Sequence, residues 1–293
     1  MLKNSYFNEP DFFIVEITNL CNIKCVACPW HTCMTRELHN MSLEEYLQIL
    51  TKIRNYAKAV CFYVMGEPFL NPQWEQIVSI THDAGIRTII SSNGMLLQKN
   101  MEGIFRSKLD HIQIALDGID AITHEAYRAG SNFDSIIEAL ILLSQERQKF
   151  HHSIPEVTIQ TLATKLNEHQ INEIRDFAHA LGFKFKLKKM HYGRTEELER
   201  KNQPVFMPQD PSLVRVKGKN YYSEKIECPE LQQMVILSNG VVVSCCVDYN
   251  GTYPIGNIYS QSVEEIWYGE KRNCFVEQFC SHNNQFCSNC DLF

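Results

Sequence analysis

Three cysteines near the N-terminus have the spacing of a metal-binding loop. Cys21, Cys25 and Cys28 lie within eight residues, directly after an apolar run. Three thiolates that hold a cubane iron–sulfur cluster leave one iron open to a further ligand, whereas a structural zinc site usually closes its coordination with four protein ligands. The spacing therefore predicts a cluster with one open iron. A zinc loop that takes His31 as its fourth ligand is the alternative.

Composition limits the kind of protein that can use such a loop. The 293 residues are 44% hydrophobic and carry a formal charge of −6. The sequence has no stripe of basic residues of the kind that indicates nucleic-acid binding. It also has no apolar run that is long enough for a signal segment or a membrane span. The mild excess of acids would suit a cationic substrate, although such an excess usually serves solubility. Twelve cysteines without a secretion signal indicate metal or redox chemistry in a reducing cytoplasm.

The elements that must position the loop alternate between strands and helices. Short apolar runs predict six strands, at residues 12–17, 59–65, 87–91, 111–116, 157–162 and 183–187. Helical periodicity between them implies right-handed crossovers and a parallel sheet. Two further units would be needed for a closed eight-fold barrel, so we expect an open, partial barrel. Several strands end in polar turns, where α/β folds place their chemistry. These turns are Gly66-Glu67-Pro68, Asn93-Gly94 and Asp117-Gly118.

The remainder of the chain changes character after the sixth strand. Residues 193–226 are rich in charge and proline, which predicts a connection over the surface. Ser238-Asn239-Gly240 between two apolar runs predicts a hairpin. The chain then ends in a C-x2-C pair, Cys287 and Cys290, and a tail this small would need a metal to stabilise it. We therefore expect a barrel over residues 1–192, a linker over 193–226 and a cysteine-rich domain over 227–293.

The cysteine loop and the strand-end turns resemble those of the radical S-adenosylmethionine (SAM) family. The family signature C-x3-C-x2-C matches Cys21, Cys25 and Cys28, and Gly66-Glu67-Pro68 is similar to its G-E-P motif. The resemblance implies a partial (β/α)6 TIM-like barrel and a [4Fe-4S] cluster whose open iron is chelated by SAM. It also implies reductive cleavage of SAM to a 5′-deoxyadenosyl radical, which abstracts hydrogen from a substrate.

The resemblance also implies roles for residues at the ends of the strands. Glu67, beside Gly66, would accept from the SAM ammonium group, and Arg128 could neutralise its carboxylate. Asn93 and Asp117 stand at familiar family positions. From the residues alone, Asp117 could instead cap the segment that follows it, and Arg128 could form a surface ion pair. The sequence departs from the family at two positions near the adenine and ribose contacts, Ala27 and Ala115.

The tail resembles the family's SPASM extension, in its shorter form called a twitch domain. The extension is a small cysteine-rich α+β domain, and its pattern implies four ligands for an auxiliary [4Fe-4S] cluster: Cys228, Cys245, Cys287 and Cys290. Cys246 competes with Cys245, but the G-x4-C spacing from Gly240 favours Cys245. A zinc ribbon is the alternative, since two separated cysteine pairs are typical of one.

The resemblance leaves two kinds of reaction open. The layout resembles that of 2-deoxy-scyllo-inosamine dehydrogenase and aminoglycoside epimerases, which implies oxidation or epimerisation of a small amino sugar or cyclitol. The alternative is a peptide-modifying (RiPP-type) maturase, but the first strand begins by Phe12, with no room before it for a leader-binding domain. A non-catalytic metal-binding scaffold is the interpretation from another class. An enzyme would need an electron donor such as flavodoxin or ferredoxin. Candidate substrate contacts close the sixth strand: Lys188, Lys189, His191 and Tyr192.

Overall fold

A single nine-stranded sheet organises the chain. The computed structural model describes Tyr6 and residues 8–149, 154–190, 205–215, 228–288 and 290. The strands are β1 (Phe12–Val15), β2 (Ala59–Phe62), β3 (Arg87–Ser92), β4 (His111–Ala115), β5 (Glu156–Leu162), β6 (Lys184–Lys188), β7 (Gln233–Ile236), β8 (Val241–Val243) and β9 (Pro254–Asn257). Their order across the sheet is β6-β5-β4-β3-β2-β1-β7-β8-β9, so β6 and β9 form the two edges.

The first six strands form the expected open, partial barrel. Each pairs in parallel with the next, with registers such as Phe13↔Val60 and Cys61↔Ile89. All six predicted strands are present within a few residues of the expected bounds. Strands such as β1 and β2 were recognisable because parallel strands covered on both faces are continuous apolar runs, whereas β6 alternates between lysine and apolar residues.

Helices cover one face of this sheet. They are α1 (Leu43–Ile53), α2 (Trp74–Asp83), α3 (Met101–Arg106), α4 (Ala121–Tyr127), α5 (Phe133–Lys149) and α6 (Ile171–Ala180). Ser42 and Glu45 start α1 with a reciprocal capping box, in which each side chain accepts from the other's backbone N–H. Helix α3 begins only at Met101. The Asn100 side chain donates to the Leu96 carbonyl at 2.8 Å and so competes with the helical pattern.

The two faces of the sheet carry different side chains because residues alternate along a strand. Phe13, Phe62 and Ile159 point to the helices and belong to the main apolar core. Ile14 and Cys61 point the other way and form a second apolar cluster inside the barrel. We call that side the inner face. No helix among the described residues is long and apolar enough to cross a membrane.

The tail continues the barrel sheet. Strand β7 pairs in parallel with β1, and the predicted hairpin is confirmed by the antiparallel pairing of β7 with β8. Helices α7 (Val263–Trp267), α8 (Glu270–Cys280) and α9 (Gln285–Ser288) follow. Val263, Ile266 and Trp267 of α7 join the main core. His191, Tyr192 and both expected domain boundaries lie outside the described residues, so the boundaries stay a prediction.

Candidate cluster and cofactor site

The cysteine loop leaves β1 at its carboxyl end and is fixed to the segment after α4. Lys24 N–H donates to the Ala129 carbonyl at 2.8 Å, and Val26 N–H donates to the Tyr127 carbonyl at 3.0 Å. Cys21, Cys25 and Cys28 are each half-buried. The loop backbone is therefore held in place by protein contacts on both sides of Cys25.

The three thiols share one poorly hydrated environment. Burial raises the pKa of all three, and the pKa of Cys28 reaches about 12, with contributions from the charges of Cys25 and Cys21. A negative charge on one of these thiols raises the pKa of another, because like charges that lie close together disfavour each other. In the opposite direction, the Arg128 guanidinium lowers the pKa of Cys25. Thiolates are therefore costly here unless a positively charged centre compensates them.

The Gly66-Glu67 turn packs directly on the chain that leads into the loop. Gly66 has a φ of +79°, and a Cβ there would lie 2.6 Å from the Leu20 carbonyl oxygen and 2.8 Å from the Thr18 oxygen. Glu67 N–H donates to the Leu20 carbonyl at 2.7 Å. Glycine is required because it alone combines a left-handed backbone with this close approach.

The Glu67 carboxylate is buried and joins the ends of β2 and β3. It accepts from Asn93 N–H at 2.7 Å and from the Ser92 hydroxyl at 2.9 Å. Burial raises the pKa of Glu67 to about 7 despite these bonds. The side-chain Nδ2 of Asn93 donates to Asn22 Oδ1 at 2.8 Å and lies 4.0 Å from the Cys21 sulfur. Glu67 is thus linked to the cysteine loop through Asn93.

Asp117 and Arg128 form a buried ion pair beside the same loop. Arg128 Nε donates to Asp117 Oδ2 at 2.6 Å, with side-chain exposures of 16% and 0%. Arg128 Nη1 lies 3.7 Å from the Cys25 sulfur, and Leu162 N–H donates to the other Asp117 oxygen at 2.7 Å. Asp120 caps α4 instead. Neither the capping role for Asp117 nor the surface ion pair for Arg128 describes this geometry.

Sequence reasoning missed a second buried ion pair that supports the site. Both Glu16 oxygens accept from Arg36 at 2.7 Å. Glu16 also accepts from Met65 N–H at 3.1 Å and Ser238 N–H at 3.0 Å, while Arg36 Nε donates to the Tyr249 carbonyl. One carboxylate therefore joins β1, the segment before Gly66 and the tail. The sequence does contain one sign of this ion pair, because Glu16 is a single acidic residue inside the apolar run of the first strand.

The four tail cysteines predicted as ligands are all buried. Cys228 and Cys287 share an apolar cluster with Tyr6 and Phe279, and Cys290 N–H donates to the Cys287 carbonyl at 2.9 Å. Burial and then the Cys245 charge raise the pKa of Cys228. No disulfide links any of the twelve cysteines, all of which are described.

Cys246 faces a different environment from Cys245. Its side chain packs against the inner-face cluster that contains Ile14 and Cys61. Its thiol also contacts Glu230 Oε2 at 3.3 Å. The charge on Cys245 acts on Cys228, and the choice of Cys245 over Cys246 as the tail ligand stays a prediction.

The donor set fits iron–sulfur clusters better than single metal ions. In the described part of the chain, no three Cys, His, Asp or Glu side chains converge closely enough to hold one metal ion. Zinc needs its thiolates at about 2.3 Å from one point, whereas a cubane gives each thiolate its own iron. Around the cysteine loop, the Glu67 carboxylate and the Arg128 guanidinium provide opposite charges for the ammonium and carboxylate of an amino acid such as SAM.

Comparison with known families agrees with this geometry. The Radical SAM superfamily matches residues 15–178, more than half of the chain. The SPASM iron–sulfur cluster-binding domain matches residues 228–291. The chain belongs to the radical SAM superfamily and carries a SPASM domain, which implies SAM and two [4Fe-4S] clusters as its cofactors. The family expected from the cysteine spacing and the strand-end turns is confirmed.

Curated relatives share the barrel at low identity. An AdoMet-dependent heme synthase of Methanosarcina barkeri is 24% identical over 177 residues, or 60% of this chain and 49% of the relative. A probable GTP 3′,8-cyclase of Methanococcus maripaludis is 24% identical over 184 residues, or 62% of this chain and 59% of the relative. The chain thus spans about half to three-fifths of the length of these relatives.

Solved structures share the fold over almost the whole chain. BtrN in complex with AdoMet and 2-DOIA superposes with a TM-score of 0.57 and 17% identity, covering 96% of this chain and 92% of BtrN. Streptococcus suis SuiB bound to S-adenosylmethionine gives a TM-score of 0.71 and 18% identity, covering 99% of this chain and 74% of SuiB. At these identities the likeness establishes the fold.

Proposed function

We propose that this protein uses SAM and a [4Fe-4S] cluster on Cys21, Cys25 and Cys28 to oxidise or epimerise a small molecule of the amino-sugar or cyclitol kind. The observation that carries the proposal is the link between the strand-end groups and the cysteine loop. Asn93 joins Glu67 to Cys21, and Arg128 lies beside Cys25. When bound, SAM and the reduced cluster supply a 5′-deoxyadenosyl radical that takes a hydrogen atom from the substrate.

Glu67 and Arg128 would hold the two ends of the SAM amino-acid group. A carboxylate has about four acceptor positions, and Glu67 uses only part of them for Asn93, Ser92 and Phe69. A nearby ammonium favours its ionised form, which matters because burial raises its pKa to about 7. Arg128 has five N–H donors and commits Nε to Asp117, so donors remain for a carboxylate.

The tail cysteines Cys228, Cys245, Cys287 and Cys290 would hold the auxiliary cluster completely. A cluster without an open iron accepts or relays an electron and does not bind the substrate directly. A reductant such as flavodoxin or ferredoxin would supply the first electron. We place the protein in a reducing compartment such as the cytoplasm, where clustered cysteines hold metal centres and do not form disulfides.

The comparisons support two substrate classes to different degrees. BtrN was solved with the small molecule 2-DOIA, and the shared region covers 92% of its chain. Peptide modification is the second candidate, because SuiB was solved with its precursor peptide SuiA and gives the higher TM-score of 0.71. The shared region covers 73% of SuiB, against 92% of BtrN.

Anaerobic reconstitution tests the proposal. Two clusters correspond to about eight irons per chain, and reduction of the reconstituted protein with SAM should release 5′-deoxyadenosine. Protein that holds two zinc ions and leaves SAM intact would show a non-catalytic scaffold. Candidate substrates labelled with deuterium should transfer the label into 5′-deoxyadenosine. Net two-electron oxidation then indicates a dehydrogenase, whereas uptake of a solvent-derived hydrogen indicates an epimerase.

A further inference from the structure

The inner face of the barrel has an apolar half and a basic half. Strands β1, β2, β3, β7 and β8 contribute an apolar cluster that includes Ile14, Cys61 and Val235. Across the sheet, β5 and β6 place polar residues on the same face, because Gln160 is in register with Lys186 and alternates with core residue Ile159. Lys188 follows two residues later at the carboxyl end of β6.

The two inner lysines near this end have no acidic partner in the described structure. Lys184, two residues before Lys186, forms an ion pair with Glu156 at 2.5 Å, but Lys186 and Lys188 form none among the residues described. Lys186 is exposed and Lys188 is half-buried. The charges of Lys186, Arg215 and Arg128 lower the pKa of Lys188, and a charge on Cys246 would act in the opposite direction. Arg128 is itself paired with Asp117.

Two further observations show that this end of the inner face is incomplete. The side-chain oxygen of Gln160 is buried and has no hydrogen-bond partner, and because an amide oxygen only accepts, a hydroxyl group of a bound ring would satisfy it. Burial, followed by the charges of Lys186 and Arg215, lowers the pKa of Lys188. A half-buried ammonium beside a second lysine and without an acidic partner is unfavourable, and a bound anion would reduce this penalty.

We propose that the substrate carries an anionic group, a carboxylate or a phosphate, and that Lys188 binds this group with Lys186 beside it at the carboxyl end of β6. The inference rests on the proposed function, whose substrate it describes. It favours a phosphorylated or carboxylated ring over an unmodified amino sugar, because a cationic amine would be repelled there. The apolar half of the inner face then contacts the ring carbons opposite the anion.

Binding measurements on matched ligands test this inference without turnover. The probes are myo-inositol 1-phosphate against myo-inositol, and glucuronate against glucose, titrated calorimetrically into anaerobic holoprotein with SAM. We expect the phosphate or the carboxylate to bind about tenfold or more tightly than its neutral counterpart, since a charge-assisted hydrogen bond is worth that much. The pair of probes that gives the larger ratio of affinities, charged over neutral, shows whether the site prefers a phosphate or a carboxylate.

Three variants assign the effect to its residue. Lys188→Met should reduce the anionic preference to below about threefold, and Lys188→Arg should retain it because the charge remains. Lys184→Met is the matched control, since its partner is Glu156, and it should bind like the wild type. Iron content and circular dichroism confirm that each variant is folded and loaded.

The outcomes separate the inference from the proposed function. Equal binding of charged and neutral probes by a protein that cleaves SAM overturns the inference alone. Loss of auxiliary-cluster iron in Lys188→Met, with anion preference unchanged in the remaining holoprotein, also overturns it, because the lysine would then serve the cluster charge. Anion binding by a protein that never cleaves SAM overturns the proposed function and leaves the anion site standing.

Discussion

Replacing Gly66 by alanine tests the contact between the Gly66-Glu67 turn and the segment that leads into the cysteine loop. Gly85 provides a matched control, because both glycines have a φ of +79° and only their surroundings differ. Around Gly66 a Cβ would meet three backbone atoms within 2.8 Å, whereas around Gly85 nothing lies within 4 Å. The pair therefore separates backbone conformation from close approach.

The expected magnitudes follow from these two effects. Alanine in a left-handed conformation costs about 1–2 kcal/mol at either position. At Gly66 the added methyl group must also displace the backbone of residues 18–20, and such overpacking costs about 1–3 kcal/mol more. We expect Gly66→Ala to lose about 2 kcal/mol more free energy of unfolding than Gly85→Ala. Because the displaced segment carries Cys21, Gly66→Ala should also lower SAM-cluster iron and SAM affinity.

Urea unfolding monitored by circular dichroism gives the two free energies, and iron analysis with SAM titration gives the second readout. Gly182→Ala serves as a further control, since its φ is +72° and its surroundings are also open. The reasoning fails if Gly66→Ala and Gly85→Ala agree within about 0.5 kcal/mol, a difference typical of neutral surface changes.

Three further predictions concern single side chains. Cys245→Ser should reduce the iron content from about eight to about four per chain, whereas Cys246→Ser should leave it unchanged; the reverse result would exchange the two assignments. Arg128→Met should cost about 3–5 kcal/mol in urea unfolding because it leaves Asp117 buried and unpaired, and adding Asp117→Asn should recover part of that loss. Burial lowers the pKa of His124 to about 4. The stability that the neutral imidazole contributes is therefore complete above pH 6.5 and is lost as the pH falls towards 4, because the unfolded chain binds the proton first. Relative to His124→Asn, the free energy of unfolding of the wild type should drop by about 2 kcal/mol between pH 7 and pH 5.

The barrel strands could be predicted because their information is local. Runs such as Phe12–Val15 and Ala59–Phe62 are apolar on both faces, and each ends in a turn with a chemical signature. The pairing of β7 with β1 could not be predicted, since residues more than 200 positions apart leave no periodic signal in the sequence. The short helix α4 was also missed, although its Asp120 cap is a recognisable start.

The candidate site also has a part that the sequence predicts and a part that only the structure shows. Spacing and the family resemblance predicted Cys21, Cys25, Cys28 and Glu67 as site residues, and the structure links Glu67 to the cysteine loop through Asn93. The bonds from Glu16 to Arg36 and Ser238 join three distant parts of the chain, so only the folded structure reveals them. The sequence already made Lys188 a candidate substrate contact by its place at the end of the sixth strand, but only the structure shows that Lys184 pairs with Glu156 and that Lys188 has no acidic partner among the described residues.

The parallel pairing of β7 with β1 fixes the spacing between the two groups of cysteines. Strand β1 leads to the cysteine loop, and β7 leads through the hairpin to Cys245. A slip of one residue between these strands would move one group by about 3.3 Å relative to the other. If the two groups of cysteines hold the clusters as proposed, the register of these few residues fixes the distance that an electron would have to cover between them.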